Sequence, residues 1–212
     1  EQKVNLNIQN FKAVYKTTMV KLFLVRHGES VEKKPEPILS KKGRQQAKDL
    51  AKRLAPLRIT KVYVSSAQRA LETYEAYKKL KPDIPTVVSD KLKEVYRTLV
   101  GGPEREGTPP DREKKDMQRA DAILKEILSN TQEDDAILLF IHGNLIRYII
   151  ANLLQINKLK LWEQLEIHDA SISLVEITNN KPQVRLINSI EHLSKKEVDE
   201  FYNSYTKTEY LS

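Results

Sequence analysis

A chain of 212 residues, 40% hydrophobic and 31% charged, is long enough to bury a core in a single domain, and no apolar run reaches the about 20 residues that cross a bilayer. It has no cysteine, which excludes disulfides, thiolate zinc sites and thiol nucleophiles. The formal charge of +7 comes from 36 Lys and Arg against 29 Asp and Glu spread along the chain, and with aromatics at 7% it reads as a lysine-rich surface that favours anionic ligands, not as a nucleic-acid face.

The chain opens at Glu1, not at methionine, so a processed or truncated form without its targeting segment is expected, and the compartment, cytoplasmic or mitochondrial, stays open. Residues 1–19 are expected to be an N-terminal extension, with Val4-Asn5-Leu6-Asn7-Ile8 forming an edge strand or staying flexible, and residues 20–212 to form the folded domain. Val20 to Val25 is an apolar run too short for a helix and predicts a strand buried on both faces. It ends in Arg26-His27-Gly28-Glu29-Ser30. Helix periodicity follows over Lys41 to Ala55, with apolar Ala47, Leu50, Ala51 and Leu54 on one face. Lys61 to Ser65 is a weaker strand, and a helix over Ala67 to Leu80 carries Arg69 in its first turn. Thr86 to Ser89 is a fourth strand candidate.

Gly101 to Lys115 holds three of the six glycines and three of the nine prolines, which predicts a long surface loop of the kind that serves as a lid or specificity element. A helix is expected over Arg112 to Leu128, and a second doubly buried strand over Ala136 to Ile141, ending in His142-Gly143-Asn144. Asn144 is the expected cap of an apolar helix running to Leu154. Beyond Trp162, alternation over Ser171 to Ile177 and Gln183 to Ser189, around Thr178-Asn179-Asn180-Lys181-Pro182, predicts an antiparallel pair at the sheet edge. Ser194 and Glu197 form a capping box for a last helix to Tyr205. Strands alternating with helices predict an α/β fold: a three-layer α/β/α sandwich with a mostly parallel central sheet and an antiparallel edge.

Ligands of open α/β sheets bind at the carboxyl ends of the strands. Two apolar strands that both end in histidine therefore point to one site. A neutral imidazole can attack phosphorus without a separate base, and cations such as Arg26 bias His27 toward that neutral form. The rest of phosphoryl transfer is positioning and electrostatics. Arg26, Arg69, a protonated His142 and the free N–H groups at the start of the helix after His142 are candidate donors to the phosphoryl oxygens. His168 and His192 sit at no buried strand end and read as ordinary surface or loop residues. Neither a Gly-x-x-x-x-Gly-Lys phosphate loop nor a paired-histidine zinc helix is present, so neither nucleotide nor metal is expected, and no cofactor.

Arg26-His27-Gly28-Glu29-Ser30 resembles the signature of the histidine phosphatase superfamily, the phosphoglycerate mutase-like fold. Leu39 to Ala47 is similar to that family's helix entry, Ser65 to Thr73 to its second-arginine motif, and His142-Gly143-Asn144 to its second histidine. The resemblance spans about Val20 to Ile190. It implies that His27 is phosphorylated, that Arg26, Arg69, His142 and Asn144 bind the phosphate, and that Glu94 is the proton donor, with Glu29 and Asp90 as weaker alternatives.

Lys33 stands where the glycolytic mutases carry asparagine, and their Thr-Gly-Trp segment is missing. The interval from Glu94 to His142 is too short for their long insertion, which implies an open site for large substrates. Phe140 to Ile150 and Asp169 to Ser173 look most like the mitochondrial serine/threonine protein phosphatase branch. That branch carries a tryptophan-rich oligomerisation motif before the first strand, and residues 1–18 contain no Trp, which speaks against assembly by that route. The expected partner is a phosphorylated protein, with a sugar- or glycerate-phosphate phosphatase or mutase as the second reading and a non-catalytic scaffold as the third.

Overall fold

The structure is a computed structural model that describes residues 19–206. The expected extension lies outside the described residues except for Met19, which opens the first strand. In chain order the elements are β1 (Met19–Arg26), β2 (Ser30–Val31), β3 (Ile38–Leu39), α1 (Lys41–Leu54), β4 (Lys61–Ser65), α2 (Gln68–Lys78), β5 (Thr86–Ser89), α3 (Arg112–Ser129), β6 (Ala136–Ile141), α4 (Gly143–Leu154), α5 (Leu161–Gln164), β7 (Ile172–Thr178), β8 (Lys181–Ser189) and α6 (Lys195–Thr206).

Among the described residues, six strands form one sheet in the order β5-β4-β6-β1-β7-β8, and β2 pairs with β3 in a second, two-stranded sheet. The first four are mutually parallel, while β7 runs antiparallel to β1 and β8 antiparallel to β7. The fold is thus the expected α/β class. Side chains alternate across β6, where Ile137, Leu139 and Ile141 enter one core and Ala136, Leu138 and Phe140 the other. The first core packs against α3 and α4 through Ile123, Leu124, Ile127, Leu145, Ile146 and Ile149. The second packs against α1 and α2 through Leu50, Leu54, Tyr74 and Tyr77, joined by Val198 and Phe201 of α6. A strand covered on both sides needs apolar residues at every position, which is why β6 is buried throughout.

Two boundaries differ from expectation. The β7–β8 connection is the two-residue turn Asn179-Asn180, both at positive φ (49° and 63°), so Lys181 and Pro182 already belong to β8. Such a turn matches the strand twist, and proline is tolerated there because β8 is an edge strand. The long loop ends at Asp111, since Arg112 to Lys115 form the first turn of α3. Among the described residues, no helix is long and apolar enough to cross a membrane.

Candidate active site

The register of β1 against β6 pairs Arg26 with Ile141, so His27 and His142 leave the sheet side by side, their ring centroids 5.1 Å apart. β4, on the other side of β6, ends at Ser65, whose Oγ lies 2.8 Å from His142 Nε2. Arg69 follows in the first turn of α2. Three strand ends and one helix start thus gather residues that are far apart in the chain.

The turn after His27 is pressed onto the start of α1. Ser40 caps α1 by accepting from the Gly43 N–H at 2.9 Å, while its hydroxyl donates to Glu29 Oε1 at 2.6 Å. A β-carbon on Gly43 would stand 2.0 Å from the Glu29 carbonyl oxygen, so glycine is what permits this approach. Gly28 N–H donates to Thr73 Oγ1 at 3.1 Å, and Thr73 in turn donates to the Arg69 carbonyl at 2.7 Å. The Glu29 N–H donates to the buried Gln46 Oε1 at 2.7 Å, and Gln46 Nε2 donates to Glu197 Oε1 of α6 at 2.8 Å.

His27 Nδ1 lies 2.8 Å from the Gly28 carbonyl, which only accepts, so Nδ1 carries the proton and Nε2 holds a lone pair facing the site. Arg69 Nε donates to that lone pair at 2.9 Å, and Arg69 Nη2 reaches His142 Nδ1 at 3.2 Å. His142 accepts there, and its Nε2 faces the Ser65 hydroxyl. Burial foremost, then the charges of Arg26 and Arg69, pulls His27 down from 6.5 to about 3. Burial, His27 and the two arginines hold His142 well below its ordinary value. The condition on which His142 is a candidate donor, a protonated ring, is not favoured in this pocket: burial first, and then the neighbouring positive charges, favour the neutral form of both rings.

Arg26 commits Nη1 to the Ile167 carbonyl at 2.5 Å and Nη2 to Asp169 Oδ1 at 2.8 Å. Its Nε is buried without a hydrogen-bond partner among the described residues, a donor that an anion in the pocket would satisfy. Arg147, which lies in the Phe140 to Ile150 stretch and has no expected role, brings Nη1 toward Gly143 next to Arg26 and holds Asn144 Oδ1 at 3.0 Å.

Glu94 meets the start of α4. Its Oε1 accepts from the N–H groups of Leu145 (3.0 Å) and Val95 (3.1 Å), and its Oε2 from that of Asn144 (3.3 Å). This corrects two expectations. Asn144 is not the cap: His142, in an extended conformation, holds that position, and Asn144 is the second residue of α4. Nor are the N–H groups of Asn144 and Leu145 free for a ligand, because a carboxyl from a distant segment takes them. Asn144 is itself committed, with Nδ2 toward the Val95 carbonyl at 3.5 Å and Oδ1 on Arg147. Burial is the largest influence on Glu94 and raises its pKa, opposed by the two α4 N–H groups and by Arg26 and Arg69. Burial thus shifts Glu94 toward the protonated form that a general acid needs.

The other candidates separate cleanly. Asp90 is exposed, accepts from Ser66 Oγ at 2.5 Å and pairs with Lys93 at 2.9 Å, and these partners lower its pKa, so it is unsuited to donating a proton. Glu29 is used by Ser40 and Lys42. His168 and His192 are half-buried, each with a ring nitrogen against a backbone carbonyl, Asp169 and Ala170 respectively. Beside Glu94 opens a cleft of about 380 Å³, walled by Tyr96, Arg97, Arg112, Asn144 and the Arg105 to Pro109 part of the long loop. Tyr96 ties that loop down, its hydroxyl accepting from the Arg105 N–H at 2.6 Å and from Thr108 Oγ1 at 2.7 Å.

With this geometry in view, comparison with known proteins is informative. The profile of the histidine phosphatase superfamily (branch 1) matches residues 22–114 and 102–190. The mouse mitochondrial serine/threonine-protein phosphatase PGAM5 is 30% identical over 198 residues, covering 85% of this chain and 65% of that protein. The chain therefore spans just under two thirds of the length of that relative. Among solved structures, YhfR of Bacillus stearothermophilus superposes with a TM-score of 0.66 at 22% identity, covering 82% of this chain and all (100%) of that one. A phosphoserine phosphatase of Entamoeba histolytica, solved in complex with 3-phosphoglyceric acid, also gives 0.66, at 20% identity, covering 82% of this chain and 100% of that one. These two likenesses are of fold.

Proposed function

The chain belongs to the histidine phosphatase superfamily, and from that premise we propose that it hydrolyses phosphomonoesters through a phosphohistidine on His27, acting on phosphoserine and phosphothreonine in proteins. The observation that carries the reading is the lone pair on His27 Nε2, neutral and buried, bridged by Arg69 to a second neutral imidazole.

In the first step Nε2 bonds to phosphorus as the bond from phosphorus to the ester oxygen breaks. The Glu94 carboxyl gives its proton to that oxygen, which leaves as the alcohol. Arg26 and Arg69 supply fixed donors to the transferring phosphoryl group, which cost no reorganisation, and His142 stands beside them holding Arg69 in place. In the second step the Glu94 carboxylate takes a proton from water as the water oxygen bonds to phosphorus and the nitrogen–phosphorus bond breaks. Inorganic phosphate leaves, and His27 and Glu94 return to their starting forms. The protein substrate class is supported by the likeness to PGAM5 over 85% of this chain and by a cleft that opens beside the acid.

His27→Ala is expected to abolish both turnover and the acid-labile phosphoenzyme. Glu94→Gln is expected to slow a phosphoseryl peptide by about 10²-fold or more, but an aryl phosphate with a good leaving group much less. Turnover of sugar or glycerate phosphates with none of phosphopeptides would overturn the protein-substrate part. Absence of any phosphoenzyme with every phosphomonoester would overturn the enzyme reading in favour of a binding scaffold.

A further inference from the structure

Glu94 follows a short 3₁₀ turn, Asp90 to Leu92, and is not part of any helix or strand. The carbonyls at the end of such a turn have no partner within it. One side chain collects them. Arg119 of α3 donates through Nη1 to the carbonyls of Lys91 at 2.8 Å and Lys93 at 2.7 Å, with that of Asp90 at 3.5 Å, and through Nη2 to the carbonyl of Glu94 itself at 3.1 Å.

Arg119 is in turn fixed. Its Nη2 also donates to Asp116 Oδ1 at 2.8 Å, one turn earlier on α3, and Asp116 is buried. The other oxygen of Asp116 accepts from the Tyr96 N–H at 3.0 Å and from Arg112 Nε at 2.6 Å. The backbone before Glu94 thus hangs on Arg119 and the backbone after it on Asp116. α3 does not need this pair to stay docked, since Ala120, Ile123, Leu124, Ile127 and Leu128 bury its inner face.

We infer that Arg119 is a positioning residue for the proton donor: its guanidinium fork, braced by Asp116, sets the 90–94 backbone so that the Glu94 carboxyl reaches the pocket in register with the start of α4. The inference rests on the reading of Glu94 as the acid. A planar fork is what the task demands, because Nη1 holds the turn while Nη2 holds the Glu94 carbonyl and Asp116, and a single ammonium cannot occupy both positions. A displacement of about 1 Å in a reacting group costs on the order of 10²-fold in rate.

The test compares Arg119→Ala and Arg119→Lys with Glu94→Gln and with the double variants, on a phosphoseryl peptide and on p-nitrophenyl phosphate, with thermal unfolding recorded for each. Both Arg119 variants are expected to lose about 10–10²-fold in kcat on the peptide and much less on the aryl ester. Added to Glu94→Gln, they are expected to cost little more. Equal losses on both esters beside a leaving-group-selective Glu94→Gln, or multiplicative losses in the double variant, would overturn the positioning role. Should Arg119→Ala fail to fold, Arg119→Lys alone carries the comparison. If Glu94→Gln slows both esters alike, the acid reading falls. Non-additivity with Arg119 would then still support the positioning of Glu94, and additivity would overturn it.

Discussion

Acidification separates this nucleophile from an ordinary histidine. His27 is drawn from 6.5 to about 3, first by burial and then by Arg26 and Arg69, against the opposing bond to the Gly28 carbonyl. The free protein therefore keeps a neutral ring to about pH 4. Because the folded value is below the unfolded one, the unfolded chain binds the extra proton between pH 6.5 and about 3. Stability from this group is complete above pH 6.5 and drains as pH falls, by on the order of 5 kcal/mol once pH 3 is reached. The phosphate ester itself titrates near about pH 6, so rates alone mix two ionisations. The cleaner assay is NMR of the His27 ring in the free protein. Its carbon-bound protons are expected to hold constant from about pH 8 down to about 4.5, while the thermal stability from this group declines only below about pH 6.5. Arg69→Gln is expected to recover only part of the shift, since burial leads its causes. A wild-type midpoint near 6.5 would refute the reasoning, because the pocket would then be neither dry nor electropositive enough to keep the nucleophile unprotonated.

Two further substitutions probe the turn that carries the nucleophile. Gly43→Ala places a carbon 2.0 Å from the Glu29 carbonyl, where only backbone can move, and is expected to cost about 3 kcal/mol or more in urea unfolding. Unaltered stability would show that α1 and the His27–Glu29 turn are not pressed together. Gln46→Leu keeps the volume but orphans the Glu29 N–H and leaves Glu197 without its amide partner. It is expected to lower stability by about 1–3 kcal/mol, several degrees in melting temperature, and kcat by about 10-fold with KM little changed. A change confined to KM would refute the link from α6 to the nucleophile turn.

The parts of the fold legible in the sequence are those whose residues answer to their own neighbours. β6 announces itself because a strand covered on both faces has no polar positions, β1 by a run from Val20 to Val25 that only Lys21 interrupts, and a histidine directly after each strand is a local signal. Arg69 is readable as the second residue of a helix that follows a strand. The capping of α4 was not readable, because the rule looks for a cap next to the helix, whereas the carboxyl is brought in from Glu94, 50 positions earlier. Gln46 and Arg119 were hidden for a related reason. Each lies on a helix face where periodicity predicts only burial or exposure, and nothing local says that Gln46 bridges Glu29 to α6 or that Arg119 meets the end of a 3₁₀ turn. The expected loop from Thr178 to Pro182 is three residues wider than the Asn179-Asn180 turn, because Pro182 counts as a strand breaker unless the strand is known to be an edge.

The bond from Arg69 Nε to His27 Nε2 constrains the order of events. The imidazole has a single in-plane lone pair there, held at 2.9 Å by the guanidinium. That pair cannot accept an N–H and bond to phosphorus at the same time. A phosphoryl dianion is a stronger acceptor for a guanidinium than a neutral ring nitrogen is, since charge-assisted bonds are roughly twice as strong as neutral ones. The incoming anion therefore draws Arg69 onto its own oxygens and uncovers the lone pair it is about to meet. Arg26 Nε, buried and unpartnered, can take another oxygen without breaking any bond it already makes. On the proposed reaction, the positive charge that, after burial, helps to keep His27 unprotonated before binding would become the charge that neutralises the transferring group, and a neutral ligand, unable to displace Arg69, would leave the His27 lone pair covered.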